Sequence, residues 1–406
     1  MDGGPLTGRT VVDLTTALAG PYATLLLAGL GARVVKVENP FTGGDSSRNN
    51  SPYLAADGLS VARERAEDMS VSWMARGRGK QSVTLNLKHP DAFDVYADLI
   101  RSADIVVENF SAGVTGRLGI DYSATRAHNP RIVYTSITGF GAQGGGPGSG
   151  KAMDTIVQAL SGVMLTAGTP GEPPVRFGLP VADLIAPLFA VIGTLAAVVE
   201  VDRTGRGQHV DVSMLGALTS LVACEPFDAF EAIGLATRTG PTVPRLAPFG
   251  VFEARDGWFA LCGPTDAFAR GLFHAVERPE LADDPRYAKR DGRVAHAEEV
   301  HAMVASWAAG LPRDEVLARL TRHGVPAAEV RDTHEAVRDP LVLSRGEVVE
   351  LAPGLHGSGV PITFSETRAG FDGPAPHLGE HNAAVYGDWL GYSDERLKSL
   401  ADAGVI

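Results

Sequence analysis

Two aspartates in this chain stand where a helix is expected to begin. Asp183 is the single charge in GLPVADLIAPLFAVIGTLAAV, the run from Gly178 to Val198. A carboxylate taken out of water is costly unless it is paired or given a task. At a helix start it meets the positive end of the helix dipole and spare backbone N–H groups. Two readings are therefore open. Asp183 is an N-cap, or it is an ionised nucleophile, its pKa held low by the helix end while apolar neighbours limit its solvation. The same N–H groups suit a developing oxyanion. Asp154, in GKAMDTIVQAL, stands at the start of the preceding helix. Position along the chain does not separate the two.

Other chemistries have weaker support. In GFGAQGGGPG, residues Gly139, Gly141 and Gly144 satisfy the dinucleotide spacing, but Pro147 and Gly148 interrupt the helix that should follow and no acid lies about twenty residues on. A loop beside a ligand is the better reading. Glu38 ends a strand where a ribose-binding acid would stand, yet the preceding turn, TTALAGP, lacks the glycines. The histidines, His89, His128, His209 and His274 among them, show no metal-ligand spacing, and no G-x-S-x-G elbow is present. Lys80, Lys88, Arg117 and Lys151 each lie near an element's end, either to collect phosphates or as solvated charge. Cys224 and Cys262 read as two buried thiols rather than a disulfide framework.

The elements that must position these groups alternate. RTVVDLTT and RVVKVENP predict buried strands around the helix GPYATLLLAGLGA, opened by Pro21. SVTLNL, DIVVENF and RIVYTSITGF predict further strands, with HPDAFDVYADLIRSA and AMDTIVQALSGVML as helices. The pattern is α/β, a Rossmann-like doubly wound parallel sheet. Residues 43–79 lack periodicity and read as a long loop with one helical turn. After Val198 a smaller α+β part is expected, with a hairpin in PFGVFEARDGWFALCGP whose turn contains Asp256-Gly257. The expected division is a large domain over 1–200, a linker over 201–225, a small domain over 226–330, a second linker over 331–350, and residues 351–406 completing the large domain.

The 406 residues carry a formal charge of −12, which argues against nucleic acid or an anionic membrane as partner. The start, MDGGPLTGRT, lacks the apolar core of a signal peptide, and Asp, Gly and Pro interrupt the longest apolar runs. A cytoplasmic enzyme is expected.

The chain resembles the class III CoA-transferases, the family of formyl-CoA and carnitine CoA-transferases whose fold alpha-methylacyl-CoA racemase shares. The resemblance covers nearly the whole chain. It rests on GPLTGRTVVDLTTALAGPYATLLLAGLGARVVKVENP, KQSVTLNLKHPDA, ADIVVENFSAGVTGRLGIDY, NPRIVYTSITGFGAQGGGPG, GKAMDTIVQALSGVM, TGRGQHVDVSML and APHLGEHN. It implies a Rossmann-like large domain made from both chain ends, a small domain, and an interlocked homodimer. It gives Asp183, in LPVADLIAP, the role of nucleophile; Asp154 and the backbone N–H groups near Gly139 and Gly141 are expected in support from their positions. It implies CoA contacts at Leu18, Asn39, Leu85, Lys88, Asn109, Phe110, Arg117 and Lys151. No tightly bound cofactor and no metal are expected; the partners are acyl-CoA and a small carboxylic acid.

Departures from the family pattern narrow the reaction. Racemases carry a histidine immediately before the residue matching Asp154; here it is Met153, which removes an acid/base partner for exchange at the α-carbon. A racemase therefore ranks second, and a silent CoA-binding protein third. A glutamine of formyl-CoA transferase matches Leu18, and that enzyme's glycine-rich loop is absent from GPTVPRLAPFG. Arg48, Arg76, Arg78 and Arg245 are available for a dicarboxylate, which would suit a succinyl-CoA donor.

Overall fold

The computed structural model describes residues 3–146 and 152–406. The chain forms two compact units. The first comprises Met1–Ser161, Phe177–Cys224 and Val337–Ile406; the second comprises Gly162–Arg176 and Glu225–Ala336.

The first unit is built on six strands: β1 (Thr10–Asp13), β2 (Arg33–Glu38), β3 (Lys80–Thr84), β4 (Ile105–Glu108), β5 (Val133–Thr138) and β6 (His209–Ser213). Their order is β3-β2-β1-β4-β5-β6 and every neighbouring pair is parallel. This is the strand order of a doubly wound sheet. Chain direction across the sheet reverses between β1 and β4, where such sheets bind ligands beyond their carboxyl ends. β4 and β5 are buried along their whole length and show no polar alternation, because both faces are covered.

Successive residues of a strand serve opposite faces. Val12, Val35, Val37, Val83 and Val106 join one core. Helix α3 (Ala92–Arg101) and the C-terminal residues Val385, Tyr386 and Val405 complete it. Helix α1 (Ala19–Gly29) packs on β1, β2 and β4, and on α7 (Val181–Thr204), which also packs on β5 and β6. By length and composition α7 could cross a membrane, and part of its surface is buried in this unit. Residues 43–79 do not form the loop expected from their sequence. Tyr53–Ala55, Gly58–Ser60 and Met69–Ser70 make a small antiparallel sheet, followed by α2 (Val71–Arg76). Strands of two or three residues are too short to show a period.

The second unit has a three-stranded antiparallel sheet of β7 (Phe249–Ala254), β8 (Gly257–Cys262) and β9 (Ala327–Glu329). Leu272, Val304, Val316 and Leu320 pack against Phe252 and Phe259 on it. The hairpin turn contains Asp256-Gly257: Gly257 pairs with Ala254, and Arg255-Asp256 form the two-residue loop between them.

Candidate active site

The β1–α1 connection, Thr15 to Leu18, is held from three sides. The Asn109 side chain clamps Thr16, accepting from its N–H at 2.8 Å and donating to its carbonyl at 2.9 Å. Asp45 accepts from the Ala17 N–H at 3.1 Å, and Arg76 donates to the Ala17 carbonyl at 3.0 Å. Ala17 has φ +69°, a left-handed conformation unfavourable for a residue with a Cβ, and these bonds fix it there. Gly20 lets α1 begin so close: a Cβ there would lie 2.3 Å from that of Thr15.

Beneath this connection lies a buried charge cluster. Asp13 meets Lys80 at 3.0 Å and Lys36 at 3.4 Å, and Lys36 meets Asp45 at 3.0 Å. The hydroxyls of Thr15 and Thr24 donate to Asp13 at 2.5 and 2.6 Å. Burial alone would raise the Asp13 pKa; Lys36 and Lys80 reverse that and hold it below the usual carboxylate range. Lys80, expected among the phosphate-collecting cations, is therefore committed to the core.

Two cavities open at the carboxyl ends of the strands. The first, of about 210 Å³, is walled by Asn39, Leu85, Lys88 and Phe110 among others. The second, of about 220 Å³, brings together Leu18, Asn109, Phe110, Gly139, Gly141 and Asp183, with Met153 and Met214. Thr16 and Phe110 belong to both walls. The structure thus gathers most of the residues named from sequence around two adjoining cavities. Some have other duties. The Asn109 amide is spent on Thr16, and Asn39 caps a short turn through Phe41 N–H. Arg117 lies on α4 (Val114–Leu118), exposed and outside both walls, though its neighbour Leu118 lines the first cavity. Lys151 falls outside the described residues.

Asp183 is the third residue of α7, not its cap; Pro180 holds the cap position. The capping duty falls to Asp154, at the start of α6 (Asp154–Leu160), which accepts the Ala182 N–H at 2.9 Å. Gln158 donates to the other Asp154 oxygen at 2.7 Å and accepts the Phe177 N–H at 2.9 Å, locking α6 to the approach to α7. Among the described residues the Asp183 carboxylate takes no hydrogen bond. Its pKa is not held low. Burial, then the negative charge of Asp154, raise it to about 6, and Arg76 offsets only part of this. The helix dipole is too small to overcome desolvation and a like charge together.

The glycine loop after β5 is shaped by close packing. A Cβ at Gly139 would lie 1.9 Å from that of Ala152. The N–H groups of Gly141 and Ala142 donate to Thr138 and Asp211, and that of Gly144 to the Gly141 carbonyl. These three are not free for an oxyanion. Glu38, once weighed as a ribose ligand, is paired with Arg48 at 2.7 Å inside the core. Cys224 is exposed and Cys262 half-buried, so neither is the buried thiol expected. Sequence reasoning did not find Ala17, Gln158 or Met214. Ala17 carries no signal, since alanine rarely takes positive φ.

The model of CoA-transferase family III matches residues 6–382. The chain belongs to that family. A succinate–glutarate CoA-transferase from Agrobacterium fabrum (strain C58) is 34% identical over 387 residues, 94% of each chain. A succinyl-CoA:mesaconate CoA-transferase from Haloarcula marismortui is 37% identical over 394 residues, covering 94% of this chain and 96% of its own. A solved CAIB/BAIF family protein from Brucella suis superposes with TM-score 0.81 at 32% identity, covering 95% of this chain and all of its own. This family III chain is accordingly an enzyme of the CoA-transferase class, and CoA thioesters and carboxylic acids are the compounds on which that class acts.

Proposed function

We propose that the enzyme moves CoA from an acyl-CoA to a carboxylic acid through covalent intermediates on Asp183. The observation that carries this reading is the Asp183 carboxylate, which takes no hydrogen bond among the described residues, in the wall of a cavity that adjoins the one bearing Asn39, Leu85 and Lys88. With a pKa of about 6 it is ionised at neutral pH yet more basic than an ordinary carboxylate. CoA runs from the first cavity, with Lys88 and Arg117 toward its phosphates, to the second, where the thioester meets Asp183.

One Asp183 oxygen attacks the thioester carbonyl, the C–S bond breaks, and a mixed anhydride forms with release of CoA thiolate. The thiolate attacks the aspartyl carbonyl and frees the donor acid, leaving an aspartyl-CoA thioester. The acceptor carboxylate attacks that carbonyl and expels the thiolate, forming a second anhydride. Thiolate attack on the acceptor's carbonyl yields the new acyl-CoA and restores Asp183. Charge passes only between carboxylate and thiolate, so no step needs a proton. Asp154 acts by positioning: it fixes the first turn of α7 and keeps Asp183 basic. Met153 lines the cavity where a racemase places a histidine, and it has no proton to exchange.

The relatives named above act on succinyl, glutaryl or mesaconyl groups, which favours a dicarboxylate among the substrates. A homodimer belongs to the same proposal. Leu188, Ile192 and Val199 form an exposed apolar stripe along α7, beside exposed Ile156 and Leu160 of α6. A second copy of the chain would cover it, which sedimentation tests directly.

Hydroxylamine tests the chemistry. It should inactivate the enzyme only while acyl-CoA is present, by attacking the aspartyl carbonyl of the anhydride or thioester and leaving a hydroxamate on Asp183. Inactivation without acyl-CoA, or none with it, would contradict the mechanism. Deuterium uptake at the α-carbon without an acceptor acid would favour racemase chemistry.

A further inference from the structure

We propose that Arg76 recognises the second carboxylate of a dicarboxylic acyl group or acceptor acid in the Asp183 cavity, an assignment that rests on Asp183 being the nucleophile. Of the four arginines singled out in the sequence, the structure commits three elsewhere. Arg48 is bound to Glu38 through two parallel bonds of 2.8 and 2.7 Å. Arg78 is buried, donating to the carbonyls of Ala75 and Ser358 and lying over the Phe371 ring. Arg245 belongs to the second unit, where it pairs with Glu225 at 2.7 Å.

Arg76 differs from all three. It closes α2, is half-buried, and spends one nitrogen, Nη1, on the carbonyl of Ala17, which lines the Asp183 cavity. Among the described residues it makes no other hydrogen bond and no ion pair. The two carboxylates whose charge reaches it are Asp45 and Asp183. Asp45 is already matched by Lys36 at 3.0 Å. A half-buried guanidinium without a carboxylate partner is costly to maintain. Its unused Nε–Nη2 edge has the fork geometry that grips a carboxylate with two parallel bonds. A small diacid bound with one carboxyl carbon at Asp183 would bring its far carboxylate to that edge, supplying the missing anion.

The test compares acids of matched length: succinate and glutarate against butyrate and pentanoate, as acceptors and as CoA thioester donors. Wild type should favour the diacids. Arg76→Gln keeps an N–H for the Ala17 carbonyl but removes the charge. It should lower kcat/KM for the diacids by about 10- to 100-fold, while the monoacids change by less than about threefold and the affinity for free CoA is unaltered. Equal losses for both classes, undiminished diacid turnover, or a wild type indifferent between the classes overturns the assignment. Should Arg76→Gln fail to fold, Arg76→Lys retains the charge without the fork and should show a smaller loss confined to diacids; wild-type discrimination decides independently. Asp183→Asn in the same assays separates the two claims. If it still turns over, the nucleophile reading fails. If it is dead while Arg76→Gln loses nothing with diacids, only the Arg76 assignment fails.

Discussion

The first unit buries two groups of charges and balances them differently. Under the β1–α1 connection, Asp13, Lys36, Lys80 and Asp45 form a closed set of two cations and two anions, the Asp13 and lysine side chains wholly out of solvent. Beside the second cavity, Asp183, Asp154 and Arg76 leave two carboxylates against one guanidinium, which among the described residues has no anion within ion-pair reach. The closed set stiffens what lies above it, since Asp45 also holds the Ala17 N–H. In the open set, burial and then the charge of Asp154 at the adjoining helix start raise the proton affinity of Asp183, which faces the cavity. Matched buried charge builds the scaffold; on the proposed reading, unmatched charge marks where substrate binds.

The comparison can be broken at several points. The largest effect is expected at Asp183. Asp183→Ala should reduce turnover by about 10⁴-fold or more, over about 5 kcal/mol of barrier, while calorimetry shows CoA binding nearly unchanged. Substantial residual turnover would sink the assignment. In the closed set the damage should fall on stability instead. Lys80→Met leaves Asp13 with the more distant Lys36 as its ion-pair partner among the described residues and should cost about 3–5 kcal/mol in denaturant unfolding; a change below about 1 kcal/mol would mean that the cluster is not the support described.

Smaller effects sharpen the contrast. In the unfolded chain an aspartate ionises near 3.8, whereas Asp183 keeps its proton up to about 6. The folded state thus binds this proton more tightly than the unfolded one. Stability conferred at low pH is lost as pH rises from about 4 to about 6, and stays lost above it. Asp183→Asn should therefore stabilise the protein at neutral pH by about 1–2 kcal/mol, allowing for the group's partial exposure, with no gain below about pH 4. An unchanged melting profile at both pH values would refute the raised pKa. Smallest is the effect of Asp154→Asn. Removing the like charge should move the acid limb of kcat/KM from about pH 6 to lower pH, by up to about one unit; an upward shift would show that Asp154 acts otherwise.

Much of this was legible before the structure. The apolar runs of β4 and β5 marked strands because burial on both faces leaves no alternation to misread. The lone acid in Gly178–Val198 marked Asp183 as a candidate beside Asp154, and only the family resemblance ranked the two. The protonation of Asp183 was not legible, because the opposing charge comes from α6 and the burial from residues distant in sequence. Lys80 looked like a surface cation beside Gly79, but parallel pairing of β3 with β2 turns it toward Asp13. Nor could the four arginines be ranked, since what separates them is who else is within reach.

The central claim is that Asp183 carries the transferred group, and peptide-level mass spectrometry of enzyme quenched during turnover tests it most directly. The account predicts a CoA adduct, through a thioester, on the peptide containing Asp183, absent from Asp183→Ala. An adduct on another residue, or full turnover with Asp183 unmodified at every time point, would contradict it.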